Sequence, residues 1–234
     1  MGRLLLEGGA EFGGAMAEPD RRAIQIAGGE HALICVLPTA AAPDQNHQNA
    51  GRNALHWFRG LGASNVRALP VIDRESAARE DLAAELSAAR LIYLLGGFPA
   101  YLAQTLSGSL CWRAVLHAYQ QGAVLGGSSA GAMVLCQYLY DPERDKVIPG
   151  LDILSGLCVL PHHASFGKRW ARTLVERLPG ITILGIDERT GALDDAPAGM
   201  WTVYGQGQVT LYQNGEIASY FAGQVFRLNT GGQD

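Results

Sequence analysis

The 234-residue sequence has no apolar run approaching the ~18 residues that a membrane-spanning helix needs, and Leu4-Leu5-Leu6 near its start is too short for the apolar core of a secretory signal. No C-x-x-C pair occurs. The four cysteines, Cys35, Cys111, Cys136 and Cys158, are far apart and lie in or beside apolar runs, as small buried residues of a reducing compartment do. With no dinucleotide fingerprint and no Cys/His cluster at ligand spacing, the chain calls for no metal and no organic cofactor. Excess positive charge is lacking too: 18 Lys and Arg against 22 Asp and Glu give a formal charge of -4. Basic residues concentrate only at 168–172, which argues against a nucleic-acid partner or an anionic membrane surface. Histidine is scarce, six in all, so the choice of general base is narrow. The expectation is a cytoplasmic protein acting on a small molecule.

Apolar material is ample: 48% of residues are hydrophobic and 17% charged, enough for a substantial core at this length. To about residue 188 the chain alternates strand-like and helix-like segments, the pattern of a parallel sheet with helices on both faces. Residues 4–6, 32–37, 66–72, 91–95, 123–125 and 181–186 read as strands. Residues 20–27, 48–60, 76–89, 100–106 and 112–121 read as helices. The last third changes character: residues 200–204, 208–212, 218–221 and 225–228 are short strands joined by tight turns, with Asn214-Gly215 as a hairpin signal. The pattern predicts one domain over 1–234, with the strands of 200–228 as an antiparallel extension. A homodimer is the commonest oligomer for such a chain, although no segment marks an interface.

Gly127-Ser128-Ser129-Ala130-Gly131 reads G-x-S-x-G between the apolar run 123–125 and the helix-like segment 132–136. Strand, sharp turn and helix, with a serine at the apex, make Ser129 a nucleophile candidate. A serine hydroxyl needs a base oriented by a carboxylate. His31, His47, His56 and His117 fall on loops or helix faces, whereas His162-His163 follows the apolar run 157–160 and Pro161, at the carboxyl end of a strand. For the carboxylate, Asp187-Glu188 ends the strand 181–186, where an acid is hard to explain by solubility alone, and Glu188 is the first choice. Asp141, Glu143 and Asp145 form a second acidic group. The N–H groups of Ala130 and of Gly96-Gly97 are candidate oxyanion donors, Gly97 foremost.

These residues resemble a family. Gly-Ser-Ser-Ala-Gly-Ala at 127–132, Leu-Leu-Gly-Gly at 94–97, Leu-Pro-His at 160–162 and Gly-Ile-Asp-Glu at 185–188 are similar to the dipeptidase E and cyanophycinase family of serine peptidases. The resemblance implies a three-layer, doubly wound, mainly parallel α/β sheet of the flavodoxin-like, class I glutamine amidotransferase type, with serine replacing the amidotransferase cysteine. It implies Ser129 as nucleophile, His162 as base and Glu188 as third member, acting through an acyl-enzyme on a peptide or isopeptide bond next to an acidic residue. Two departures stand out. Phe98-Pro99 follows the glycine pair where the family often has Asn, Asp or Gln, and His163 stands where phenylalanine usually follows the histidine, which leaves His163 as an alternative base. Gly96, Phe98, His163 and Arg169 are candidate substrate contacts. Lys168, Arg169 and Arg172 are placed like the arginines with which cyanophycinases hold an acidic substrate. Two other readings are an α/β-hydrolase esterase using Ser129, Asp145 and His162, and a non-catalytic binding protein for a small ligand, which Phe98 favours.

Overall fold

The computed structural model describes residues 1–228; residues 229–234 of the expected domain lie outside it. The first half runs β1 (Arg3–Glu7), α1 (Ala17–Ile26), β2 (Ile34–Leu37), α2 (His47–Gly60), β3 (Val66–Ala68), α3 (Glu80–Ala88), β4 (Leu91–Leu94), α4 (Pro99–Leu106), α5 (Leu110–Gln120) and β5 (Val124–Ser128). The second half runs α6 (Ala130–Val134), β6 (Cys136–Asp141), β7 (Lys146–Pro149), β8 (Leu154–Leu160), α7 (Lys168–Arg177), β9 (Thr182–Ile186), β10 (Thr190–Leu193), β11 (Met200–Gly205), β12 (Gln208–Gln213), β13 (Glu216–Phe221) and β14 (Val225–Arg227).

Apolar runs form the central strands because both faces are covered. Every residue of β2, β4 and β5 is buried, and each fully buried Leu, Ile or Val contributes about 1.5–3 kcal/mol of transfer free energy. β5 pairs in parallel with β1 and β4, which sets Leu125 between Leu4 and Ile92. β2 and β3 continue the parallel part. Local signals start the helices: Ser109 caps α5 by accepting the N–H of Trp112 at 3.0 Å, and Pro99 opens α4 at the position where its missing N–H costs nothing.

The first sheet has the order β14-β11-β10-β1-β5-β4-β2-β3, parallel from β1 to β3 and antiparallel from β1 to β14. This is the mainly parallel α/β architecture with antiparallel C-terminal strands. The C-terminal strands are, however, shared between two sheets. β11 and β14 extend the first, whereas β12 and β13 cover β9 in a second sheet of order β13-β12-β9-β8-β6-β7. One core cluster joins them, packing Leu6 and Leu125 of the first sheet with Val159, Leu184 and Val209 of the second.

One local reading is corrected. Residues 132–136 look helical, but α6 stops at Val134 and Cys136 already belongs to β6. Cys136 pairs with Leu154 of β8, and the Leu135 carbonyl accepts the N–H groups of Ile153 and Leu154 at 3.0 Å each. Sheet pairing overrides a helical propensity that only five residues supply.

Candidate active site

The carboxyl ends of β1, β4, β5, β8 and β9 meet at one place, and the last four each deliver a residue that the sequence singled out. β5 ends in Ser128, and Ser129 follows with φ 49° and ψ −112°, a region costly for a residue with a Cβ. The turn that imposes it needs the flanking glycines: a Cβ on Gly127 would stand 2.4 Å from the backbone of Gly131, and one on Gly131 2.1 Å from the Leu94 carbonyl oxygen. The small residues thus let α6 fold back against β5 and β4 and leave the serine hydroxyl at the apex.

Three successive carbonyls from the last residue of β1 onward tie the elements together. Glu7 O accepts the N–H of Ser129 at 2.9 Å, Gly8 O that of His162 at 2.8 Å, and Gly9 O that of Arg189, the neighbour of Glu188, at 3.0 Å. His162 sits in the left-handed region, φ 50° and ψ 38°. Its carbonyl accepts the N–H groups of Ser165, Phe166 and Gly167 at 3.0 to 3.1 Å, which closes one wide helical turn over 163–167 before α7.

The side chains form a chain of contacts. Ser129 Oγ lies 3.1 Å from His162 Nε2, and His162 Nδ1 lies 2.8 Å from Glu188 Oε1. Because an ionised carboxylate only accepts, the proton on Nδ1 faces Glu188, and Nε2 is left as an acceptor for the Ser129 hydroxyl. Ser165 Oγ donates to the His162 carbonyl at 3.0 Å and steadies the turn. At the other side of the serine, a Cβ on Gly96 would stand 3.3 Å from Ser129 Cβ, so Gly96 packs directly against the nucleophile candidate. Gly97, at φ +137°, lines the cavity beside Ser129. The N–H of Phe98 is committed to Ala40 O at 2.8 Å, while no backbone carbonyl accepts from Gly97 among the described residues. Ala130 opens α6, where N–H groups are free of intrahelical partners.

His163 and Arg169 are not at this place. His163 is buried on the far side of the turn. Its Nε2 lies 2.9 Å from Tyr212 Oη and its Nδ1 3.4 Å from Asp187 Oδ1, and burial holds its pKa down. Alternation along a turn explains the split, for successive residues face opposite sides: His162 and Glu188 meet in front, His163 and Asp187 behind. The Arg169 guanidinium lies over the Trp170 indole, 4.3 Å from the centroid, on the exposed face of α7. Lys168 and Arg172 line a separate groove between α7 and β12 to β13. Of the second acidic group, Asp145 is taken by Arg177 at 2.7 and 3.0 Å and by the Tyr140 hydroxyl at 2.9 Å, and these partners hold its pKa down. Asp141 accepts the Glu143 N–H at 3.1 Å and faces Arg144 at 3.3 Å.

Sequence reasoning missed two features. The first is an aromatic line: Phe166 stacks on His162, centroids 4.9 Å apart and planes at 21°, and Trp170 meets Phe166 edge-on at 5.7 Å. The spacing 162, 166, 170 is the signal that could have shown it, since residues four apart share a helix face. The second is a buried acid cluster behind the elbow. Tyr93 Oη donates to Glu7, Trp57 Nε1 donates to Asp20 at 2.7 Å, and Ser128 Oγ donates to Glu11 at 2.9 Å. Burial first, then the charge of Asp20, pushes Glu7 well above the carboxylate range, and burial pushes Asp20 up to about 7. An acid at the end of the apolar run Leu4–Leu6 was the signal there.

The chain is similar to known proteins over most of its length. The family model described as Peptidase family S51 matches residues 4–193. Cyanophycinase of Synechococcus elongatus is 33% identical over 199 residues, 80% of this chain and 60% of that protein, so the chain spans less than two thirds of that relative's length. Cyanophycinase of Trichormus variabilis is 27% identical over 219 residues, 89% of this chain and 72% of that protein. Among solved structures, a peptidase from an acI-B1 Actinobacterium superposes with a TM-score of 0.88 at 29% identity, covering 97% of each chain. A Listeria monocytogenes EGD-e protein described as a peptidase E shares the fold, with a TM-score of 0.61 at 16% identity, covering 94% of this chain and 98% of that one.

Proposed function

The chain belongs to peptidase family S51, and from that premise we propose that it is a serine peptidase in which Ser129 is the nucleophile, His162 the general base and Glu188 the group that orients and charges the imidazole. The observation that carries the reading is the unbroken line from Ser129 Oγ through both nitrogens of His162 to Glu188, 3.1 and 2.8 Å long, at a serine held in a strained turn. His162 Nε2 takes the hydroxyl proton as Oγ attacks the scissile carbonyl, and Glu188 stabilises the imidazolium. The oxyanion rests on the N–H groups of Gly97 and Ala130. Collapse of the tetrahedral intermediate passes the proton to the leaving amine and leaves an acyl-enzyme, which water, deprotonated by the same histidine, hydrolyses.

The substrate is a small peptide or isopeptide, and the bond cleaved lies next to an acidic residue. Of the basic residues, Arg144 lines the cavity beside Ser129, which supports it, rather than the 168–172 segment, as the partner of a substrate carboxylate. The test is to incubate wild type and Ser129→Ala with aspartyl dipeptides, β-aspartyl-arginine polymer and simple esters, and to treat both with a fluorophosphonate. Release of free amine by the wild type alone, with label on Ser129, is expected. Turnover of esters only, or no label, would remove the peptidase reading.

A further inference from the structure

The cavity that opens beside Ser129 measures about 600 Å³, far more than a glycine or alanine residue fills. Its walls are unusual for a site expected to take charge. Phe98 comes from the turn after β4, Tyr101 from α4, Tyr140 from β6, Phe166 from the wide turn over 163–167 and Trp170 from the start of α7. Phe98 and Phe166 are 37% and 41% exposed, and both present that exposed surface at one cavity. Exposed apolar rings converging on one concave site are a recognition feature rather than a packing requirement.

The aromatic line is continuous with the chemistry. From His162 it passes through Phe166 and Trp170 to Tyr140, which stands 5.5 Å from Trp170, so a ring entering the cavity would stack within reach of the base. Full charge enters the wall from one segment, Asp141 to Arg144. Asp141 is already engaged by the Glu143 N–H and by Arg144, and Arg144 and Glu143 are open to solvent. A charged side chain set against the aromatic wall, away from that segment, would lose water without a counter-charge beside it.

We infer that this cavity takes a large neutral side chain, aromatic above all, on the residue across the scissile bond from the acidic one, and that Phe98, Phe166 and Trp170 set this preference. The inference rests on the peptidase reading for the bond cleaved, but binding tests it separately. Asp-Phe, Asp-Trp, Asp-Leu, Asp-Ala, Asp-Arg and Asp-Asp, in α- and β-linked forms, are titrated into the Ser129→Ala protein by calorimetry and followed for hydrolysis by wild type and Trp170→Ala. Asp-Phe or Asp-Trp is expected to bind, and to be turned over by kcat/KM, about tenfold or more better than Asp-Ala. Trp170→Ala is expected to shrink that ratio to about threefold or less.

Selective binding of the aromatic dipeptides without turnover by the wild type overturns the peptidase reading and supports the cavity assignment. Turnover with Asp-Arg, Asp-Asp or Asp-Ala preferred, or an aromatic preference that survives Trp170→Ala, overturns the cavity assignment and leaves the peptidase reading standing. Neither binding nor turnover overturns both.

Discussion

Gly9 lies directly under the imidazole of His162: a Cβ added at Gly9 would stand 2.2 Å from Cε1 and 2.7 Å from Nε2. The same residue has φ +107° and accepts the N–H of Arg189, so the segment after β1 fixes the ring from below and the Glu188 loop from beside. Gly9→Ala is therefore expected to push His162 off the Ser129 line. Misplacing a catalytic group by about 1 Å costs on the order of a hundredfold in rate. The expected outcome is a drop of about that size in kcat, with fluorophosphonate labelling of Ser129 slowed in parallel and a cooperative thermal transition retained.

Glu188 is half exposed, which is why its role has to be separated from that of the other acids nearby. Glu188→Gln replaces the acceptor facing His162 Nδ1 with an amide that can donate as well, and so loosens the tautomer that leaves Nε2 free. A fall in kcat of about 10²–10⁴ is expected, by analogy with other triads, with KM little changed. Asp145→Asn breaks contacts with Arg177 and Tyr140 only, and its kcat is expected to stay within about threefold of wild type, as for a surface ion pair. Steady-state kinetics on one cleaved dipeptide checks both; equal losses in the two variants would reassign the third member.

Much of this was legible in the chain, and the parts that were not have identifiable causes. The parallel core could be read because β2, β4 and β5 are apolar on both faces, and the serine turn because its glycines have no substitute. Glu188 was legible as an acid at the end of a buried strand. The second sheet was hidden because β6 and β7 carry little apolar periodicity and are defined by their partners across the fold. His163 and Arg169 lie off the Ser129 line for a related reason. Their chemistry suggested a site, but side-chain direction is set by the turn over 163–167 and by the register of α7, which bury His163, turn Arg169 outward and set the rings of Phe166 and Trp170 along the cavity.

The buried side of that turn supplies a stability test. His163 is almost wholly enclosed, bonded to the Tyr212 hydroxyl and facing Asp187. His163→Ala removes a buried ring and strands two polar groups, so it is expected to destabilise by about 2–4 kcal/mol. His163→Phe, which fills the same space without the hydrogen bonds, is expected to recover part of that loss. Urea unfolding of the three proteins measures it; a midpoint for His163→Ala within error of wild type would show that the pair contributes nothing.

The acid cluster behind the elbow makes stability depend on pH with a definite sign. Glu7 is held well above the carboxylate range and Asp20 is pushed up to about 7; Asp194, bonded to Leu4 at the other end of β1, is likewise pushed up to about 7, all three mainly by burial. In the folded chain these groups keep protons that the unfolded chain has already released above about pH 4. Between about pH 4 and 7 the folded state thus binds more protons, and raising the pH through that window removes stability. His163 acts oppositely: its lowered pKa means that below about 6.5 the unfolded chain takes up a proton that the folded chain does not. From pH 8 to 6.5 the carboxyls act alone, so Tm is expected to rise by several degrees on acidification across that interval and to go on rising below it, with His163 offsetting part of the gain. Asp20→Asn removes one buried acid, and its amide can donate to Glu7. It is expected to raise Tm at pH 8 and to reduce the pH dependence, and a wild-type Tm that increases from pH 6.5 to 8 would contradict the assignment.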